Sequence, residues 1–144
     1  MSRFDNFRGP RGRFTPTSQK QKRIQAERRG RLAESLCVAR LRLTGWRILA
    51  RRLKTKPGTG VGEVDIVARR GGTIAFIEVK ARLDSTAALD AVTALQRLRI
   101  ARAADAYVHR HAECAECEIR FDVMIVGNNL FPKRIADAWR PELP

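Results

Sequence analysis

Acidic side chains are few in this chain: 15 Asp and Glu stand against 29 Lys and Arg, a formal net charge of +14 over 144 residues. Such an imbalance argues against a basic partner and for a polyanion, because a positive surface attracts phosphate backbones strongly and in a salt-dependent way. Cysteine is also sparse. Three residues, Cys37, Cys114 and Cys117, make an odd and irregularly spaced set, which argues against a disulfide framework and suits a reducing compartment. Long apolar runs are missing too. No stretch approaches the roughly 18 residues of a spanning helix, so a membrane partner is set aside. Met1 to Phe14 lacks the apolar segment of a secretion signal, and a cytoplasmic location is expected.

The few acids are not spread evenly. Glu63, Asp65 and Glu78 fall in one stretch, from Gly62 to Lys80, in which two runs rich in Val, Ile and Phe flank Gly71-Gly72. That pattern predicts a β-hairpin with a tight turn. If Gly71-Gly72 is a two-residue loop, Arg70 pairs with Thr73, Asp65 lies opposite Glu78, and Glu63 lies opposite Lys80. An Arg70-Gly71 turn would instead place Asp65 opposite Phe76 and diagonal to Glu78. In either register the four charged residues share one face. Two carboxylates about 5 Å apart at an effective dielectric of about 20 repel by roughly 3 kcal/mol. A fold that accepts this cost needs a compensating partner, and Glu63 pairing with Lys80 does not supply one for the other two acids.

Around the hairpin the chain reads as follows. Residues 1–20 form a basic arm rich in Gly, Pro, Ser and Thr without apolar period, expected to be disordered, and 21–144 form one domain. A helix runs from about Lys22 to Gly45, with Arg28, Arg31, Ser35 and Arg42 on one arc and Glu34 turned toward Cys37, Val38 and Leu41. Glu34 is either a buried functional acid or the partner of a nearby Arg such as Arg31 or Arg40. A strand from Trp46 to Leu53 precedes a Gly-rich loop. Arg47, Arg51, Arg52, Lys54 and Lys56, with Arg82 after the hairpin, place positive charge beside the acids and are the candidate nucleic-acid contacts. Thr93 caps a second helix running to about His111, in which Gln96, Ile100, Ala103 and Tyr107 fall on one line, while Arg99, Arg102 and Arg110 cover the other side. Cys117 to Val126 alternates as a strand, with Asp122 paired to a nearby Arg. A short edge strand around Leu130 to Ile135 is marked by Pro132, and Ala136 to Trp139 closes the fold. The Cys114/Cys117 pair with His109 and His111 upstream is a weak zinc pattern, better read as a helix end and a turn.

Asp65 followed by Glu78-Val79-Lys80 on the partner strand resembles the signature of the PD-(D/E)XK nuclease superfamily. Ala33-Glu34, Gly62-Glu63-Val64-Asp65, Phe76-Ile77-Glu78-Val79-Lys80-Ala81-Arg82 and Arg120-Phe121-Asp122-Val123 together resemble the YraN-type family of small bacterial proteins, itself similar to archaeal Holliday junction resolvases. The resemblance spans about Gly30 to Trp139. It implies an α/β restriction-endonuclease-like core, αβββαβ, with a central mixed sheet flanked by helices. It also implies that Asp65 and Glu78 bind Mg²⁺ or Mn²⁺, that Glu34 reaches the metal from the first helix, and that Lys80 lies beside the attacking water. Gln96 stands where the family commonly has Lys; the wider superfamily often uses Gln there. The chemistry agrees with the residue types, because hard carboxylate oxygens suit Mg²⁺ and a nearby ammonium can stabilise charge on a phosphoryl oxygen.

The expectation is therefore a metal-dependent endonuclease on structured or branched DNA, DNA being favoured over RNA, with homodimerisation left open. The alternative is a non-catalytic nucleic-acid-binding protein that retains a nuclease fold. A third reading takes the acids as structural ion pairs in a protein that binds an acidic protein partner.

Overall fold

The computed structural model describes residues 16–54, 63–81, 90 and 92–142. Within these, helix α1 (Pro16–Leu43) is followed by strands β1 (Arg47–Lys54), β2 (Glu63–Arg70) and β3 (Thr73–Ala81), helix α2 (Ala94–Arg110), a 3₁₀ turn (Ala112–Cys114), and strands β4 (Glu118–Val126) and β5 (Pro132–Trp139). The sheet has the order β1-β2-β3-β4-β5, antiparallel throughout except that β3 and β4 run parallel. It is thus the mixed α/β sheet that the sequence motifs imply, with one helix on each face.

The two faces follow from the strand pleat. Along β3, Ile74 and Phe76 point to the α2 side, while Ala75 and Ile77 point to the α1 side. All four are fully buried, which is why the strand reads as a continuous apolar run. On the α1 side, Ala33, Cys37, Val38 and Leu41 pack on Ile66, Ala68, Ala75, Ile77, Met124 and Val126. On the α2 side, Ile100, Ala103, Ala104 and Tyr107 pack on Val67, Phe76, Phe121, Val123 and Ile125. Phe121 also stacks on Trp139 with centroids 4.3 Å apart, which fastens the edge strand β5 to this core.

Two boundaries differ from the sequence expectation. Helix α1 already begins at Pro16, so the last residues of the expected arm are helical; residues 1–15 lie outside the described residues. With 28 residues it is about 42 Å long. Only its C-terminal half meets the sheet, and 19–32 are exposed throughout. Strand β5 continues through Asp137 to Trp139 instead of stopping at Ile135, because Asp137 adopts φ +51 and keeps its N–H bonded to the Asp122 carboxylate. The irregular stretch expected over Leu83 to Leu89 lies outside the described residues.

The hairpin register is the one with a two-residue loop: Arg70 pairs with Thr73, Ala68 with Ala75 and Ile66 with Ile77. Gly71 has φ +59, the positive value that such a loop requires at its first position, whereas Gly72 has an ordinary φ. Gly71→Ala is expected to lower stability by about 1 kcal/mol in urea denaturation through the left-handed backbone alone, since an added Cβ meets nothing within 4 Å. Gly72→Ala is expected to be near neutral.

Candidate metal and nucleic-acid site

Beyond Ile66 and Ile77 the β2–β3 ladder stops, although both strands go on. The next opposed pair is Asp65 and Glu78. In this register it occupies a position without inter-strand backbone bonds, where opposed side chains come closest. In an unbroken ladder the Val79 amide would then bond to Val64. Instead it donates to Asp65 Oδ2 at 2.8 Å. One carboxylate oxygen has replaced a ladder carbonyl, and the two strands fork around the acids.

Burial at this fork changes the acids themselves. Glu78 is pushed up from its usual 4.5 to about 7, first by burial, then by the Asp65 charge, with Lys80 opposing the shift. Asp65 is also raised, chiefly by burial, although the Val79 N–H and a hydrogen bond from Glu78 act the other way. The two acids therefore titrate as a coupled pair able to share one proton between them, because burial and mutual charge disfavour ionising both. Lys80 lies two residues further on the same strand, its Nζ 3.2 Å from Glu78 Oε1. Lys80 thus pairs with Glu78 and not with Glu63, because neighbours at i and i+2 on one strand face the same way while the opposed strand has diverged.

A cleft of about 340 Å³ opens over these acids, lined by Glu63, Asp65, Glu78, Gln96, Arg99 and Ile100. Helix α2 brings Gln96 there through its own N-terminus. The Thr93 hydroxyl accepts the Gln96 N–H at 3.2 Å, and Gln96 Oε1 accepts the Thr93 N–H at 3.3 Å, a reciprocal capping box. With its oxygen so engaged, the Gln96 side chain keeps its amide N–H groups for the cleft. Arg99 was expected on the solvated side of the helix. It lines the cleft because it stands three residues after Gln96, on the same face of the helix, and that spacing was the available signal.

Glu34 is buried at 5% exposure, as its wheel position predicts. Its partners are neither Arg31 nor Arg40. Arg51 Nε and Arg52 Nε each donate to it at 2.9 Å, one to each carboxylate oxygen. Adjacent strand residues normally point to opposite faces, and both reach Glu34 only because Arg52 adopts φ +48, which turns its side chain back. Glu34 is thus held by two guanidinium groups, one on each carboxylate oxygen, and its charge helps to raise Asp65. The buried Cys37 thiol is pushed up to about 12 by burial, then by the charges of Asp65 and Glu34, which makes it an inert core group.

The remaining candidates separate along β1. Lys54 pairs opposite Glu63 at the cleft end, whereas Arg47 pairs opposite Arg69 at the turn end of the sheet. Lys56 and Arg82 lie outside the described residues. Of the Cys/His group, Cys114 is buried in the α2-side core, and His109 Nδ1 and His111 Nδ1 each lie 2.8 Å from the backbone carbonyl four residues earlier. Asp122 pairs with Arg120, as expected.

Two hard-oxygen acids that repel one another in a desolvated fork fit a divalent cation, which would remove the repulsion and complete its shell with water or phosphate oxygens. Among the described residues no three His, Cys, Asp or Glu side chains converge as a ready ligand set. In the metal-free protein the sign of the pH dependence follows from Glu78. Its folded value is raised, so the stability it contributes is complete below about pH 4.5 and is lost as the pH rises through about 7. Thermal melts in chelator are expected to fall over this window by an amount on the order of 3 kcal/mol in stability, and Glu78→Gln is expected to flatten the fall. An equal slope in wild type and Glu78→Gln would contradict the shared-proton pair.

Comparison with known proteins places this geometry in a family. Residues 33–126 match the model of the uncharacterised protein family UPF0102, a span that includes Glu34, the forked hairpin, Gln96 and Asp122. A UPF0102 protein of Paramagnetospirillum magneticum is 50% identical over 80% of this chain and 89% of its own length. Those of Parvibaculum lavamentivorans and Sphingopyxis alaskensis are 44% and 46% identical, over 82% and 83% of this chain and 86% and 98% of theirs.

Proposed function

The chain belongs to the uncharacterised protein family UPF0102, the YraN-type family its motifs resemble, and on that premise we propose that it is a metal-dependent endonuclease acting on structured or branched DNA. The forked hairpin carries this reading: Asp65 and Glu78 are buried together at a cost that a divalent cation relieves. Bound there, Mg²⁺ or Mn²⁺ supplies Lewis-acid stabilisation of a phosphoryl oxygen and a more acidic water. Asp65 and Glu78 would hold the ion. Lys80, whose Nζ lies 3.2 Å from Glu78 Oε1, would present its ammonium protons to the developing charge. The Gln96 amide and Arg99 guanidinium line the cleft from α2 and orient the flanking phosphates. Glu34 serves as a positioning residue: by holding Arg51 and Arg52 through Nε, it leaves their half-exposed guanidinium ends for the backbone of the nucleic acid. The exposed half of α1, with Lys20, Lys22, Arg23, Arg28, Arg29 and Arg31, extends the basic surface.

The test is a panel of end-labelled four-way junctions, flaps, single strands and linear duplexes, incubated with Mg²⁺, Mn²⁺ or chelator. Cleavage of a branched substrate is expected with either metal and not with chelator, and binding at low salt is expected to persist without metal. No cleavage of any substrate with either metal would end the nuclease reading. The second reading is a nucleic-acid-binding protein that has kept the fold without the chemistry. The absence of a preformed three-ligand set among the described residues favours it. Binding unaffected by metal, with no metal uptake by calorimetry, would establish it over the first.

A further inference from the structure

The motif Arg120-Phe121-Asp122-Val123 has no part in the acidic cleft, and the structure shows what it builds. On the α1 side of the sheet, Arg120, Asp122 and Met124 point the same way along β4, and Arg134 pairs opposite Met124 from β5. Asp122, fully buried, accepts from Arg120 Nε and Nη2 at 2.8 and 2.9 Å and lies 3.6 Å from Arg134 Nε. Both guanidinium groups then stand over the ring of Trp46, at 5.2 and 4.8 Å from its centroid, and Arg70 joins them at 4.9 Å from the end of β2. Arg40 comes from the last turns of α1 and donates to the Pro132 carbonyl.

Donors and positive charge are in excess here. Of the four guanidinium groups gathered here, Arg120 and Arg134 contact the Asp122 carboxylate, while Arg70 and Arg40 bond to backbone carbonyls. Asp137 is paired with Arg140 at 2.7 Å and, like Glu118, acts on Arg120 only at longer range. Among the described residues Arg134 makes no hydrogen bond within its ordinary reach and has an ion-pair partner only in Asp122, already doubly engaged by Arg120. The Trp46 Nε1 donor is buried without an acceptor among the described residues. Arg134 is held below its ordinary value by burial and by the neighbouring Arg120, Arg70 and Arg40, the mark of cations crowded together. The outer guanidinium edges stay reachable, since the side chains of Arg120 and Arg134 keep 19% and 20% exposure and Arg70 is exposed.

We propose that this cluster of Arg70, Arg120 and Arg134 around Trp46 is a binding site for a phosphate group. Guanidinium forks match phosphate oxygens in pairs, and several forks converging from different strands suit the three terminal oxygens of a phosphate monoester better than the two coplanar oxygens of a carboxylate. The site lies on the sheet face opposite α2 and does not depend on the nuclease reading. It would accept free phosphate or the phosphorylated end of a strand, which present the same chemistry.

The experiment uses the full chain at low salt with chelator present, so that no metal can hold phosphate at Asp65 and Glu78. Calorimetry and tryptophan emission are followed during titration with inorganic phosphate and pyrophosphate, with chloride at equal ionic strength as the control. Saturable binding is expected, weakened at least tenfold in Arg70→Gln and in Arg134→Gln. Among the described residues Arg70 donates only to the Thr44 carbonyl, so its variant tests the site even if Arg134→Gln folds poorly. A 5′-phosphorylated single strand that binds more tightly than its 5′-hydroxyl counterpart, with the difference lost in Arg70→Gln, would assign a strand end as the ligand. Equal binding of the two strands, with phosphate still bound, would assign free phosphate. No saturable phosphate or pyrophosphate binding, or affinity unchanged in both variants, would overturn the proposal.

Discussion

Asp65→Asn is expected to melt several degrees above the wild type at pH 8 in chelator, and to cleave DNA on the order of 10³-fold more slowly with Mg²⁺. The two effects have one cause. At pH 8 both acids of the fork are ionised, and their repulsion in a poorly solvated position is worth about 1–3 kcal/mol. Asparagine removes that charge, yet its carbonyl can still accept the Val79 N–H, so the fork keeps its shape. For a chain of this size each kcal/mol moves the midpoint by about 2–4 °C or somewhat more. Stabilisation should vanish below about pH 4.5, where Glu78 is neutral and the repulsion is already absent. Melting curves at pH 8 and pH 4.5, set beside cleavage rates on one substrate, measure both. A variant that melts lower at pH 8 would mean that the Asp65 charge stabilises the fold, and the metal-site reading would lose its main support.

Asp122→Asn is expected to have the largest effect on stability, a loss of about 3–5 kcal/mol. Its side chain has no exposure and is the sole carboxylate in direct contact with Arg120 and Arg134 among the described residues. The amide can still accept from the Asp137 N–H. It cannot neutralise two guanidinium groups already crowded by Arg70 and Arg40. Urea denaturation should show a lower midpoint with an unchanged slope, the sign of lost native stability without a changed denatured state. Tens of millimolar phosphate should recover part of the loss by supplying the missing negative charge. A midpoint within experimental error of the wild type would show that the arginines are neutralised by water alone.

Much of the site was legible in the sequence where local rules act. A Gly-Gly between two apolar runs leaves few ways to close a hairpin, and the register that opposes Asp65 to Glu78 is the one adopted. Thr93 as a cap and the buried stripe through Ile100, Ala103 and Tyr107 are likewise local, because one helical turn decides them. Thr93-Ala94-Leu95-Gln96 also spells a capping box, which would have located the Gln96 side chain. The fork itself was not legible. Asp65 replaces a ladder carbonyl only because the strands diverge there, and divergence is a property of the assembled sheet. Glu34 shows the same limit: its burial follows from the wheel, but its partners depend on one left-handed residue, Arg52, in a different element. The grouping of Trp46, Arg70, Arg120 and Arg134 comes from the α1–β1 connection and three separate strands, and no sequence pattern joins them.

The parallel pairing of β3 with β4 sets an order of assembly. β2 and β3 are joined by two glycines and can meet early, whereas Thr73 finds Glu118 only after the whole of α2 has been accommodated. Closing so long a loop is slow, and the rate-limiting step should include it. Until then the hairpin acids are bathed in water, where their mutual repulsion is small. Dehydration by α2 and β4 is expected last. The protein therefore incurs the cost of its acid pair at the end of folding, and relief of that cost should appear mainly as slower unfolding rather than faster folding.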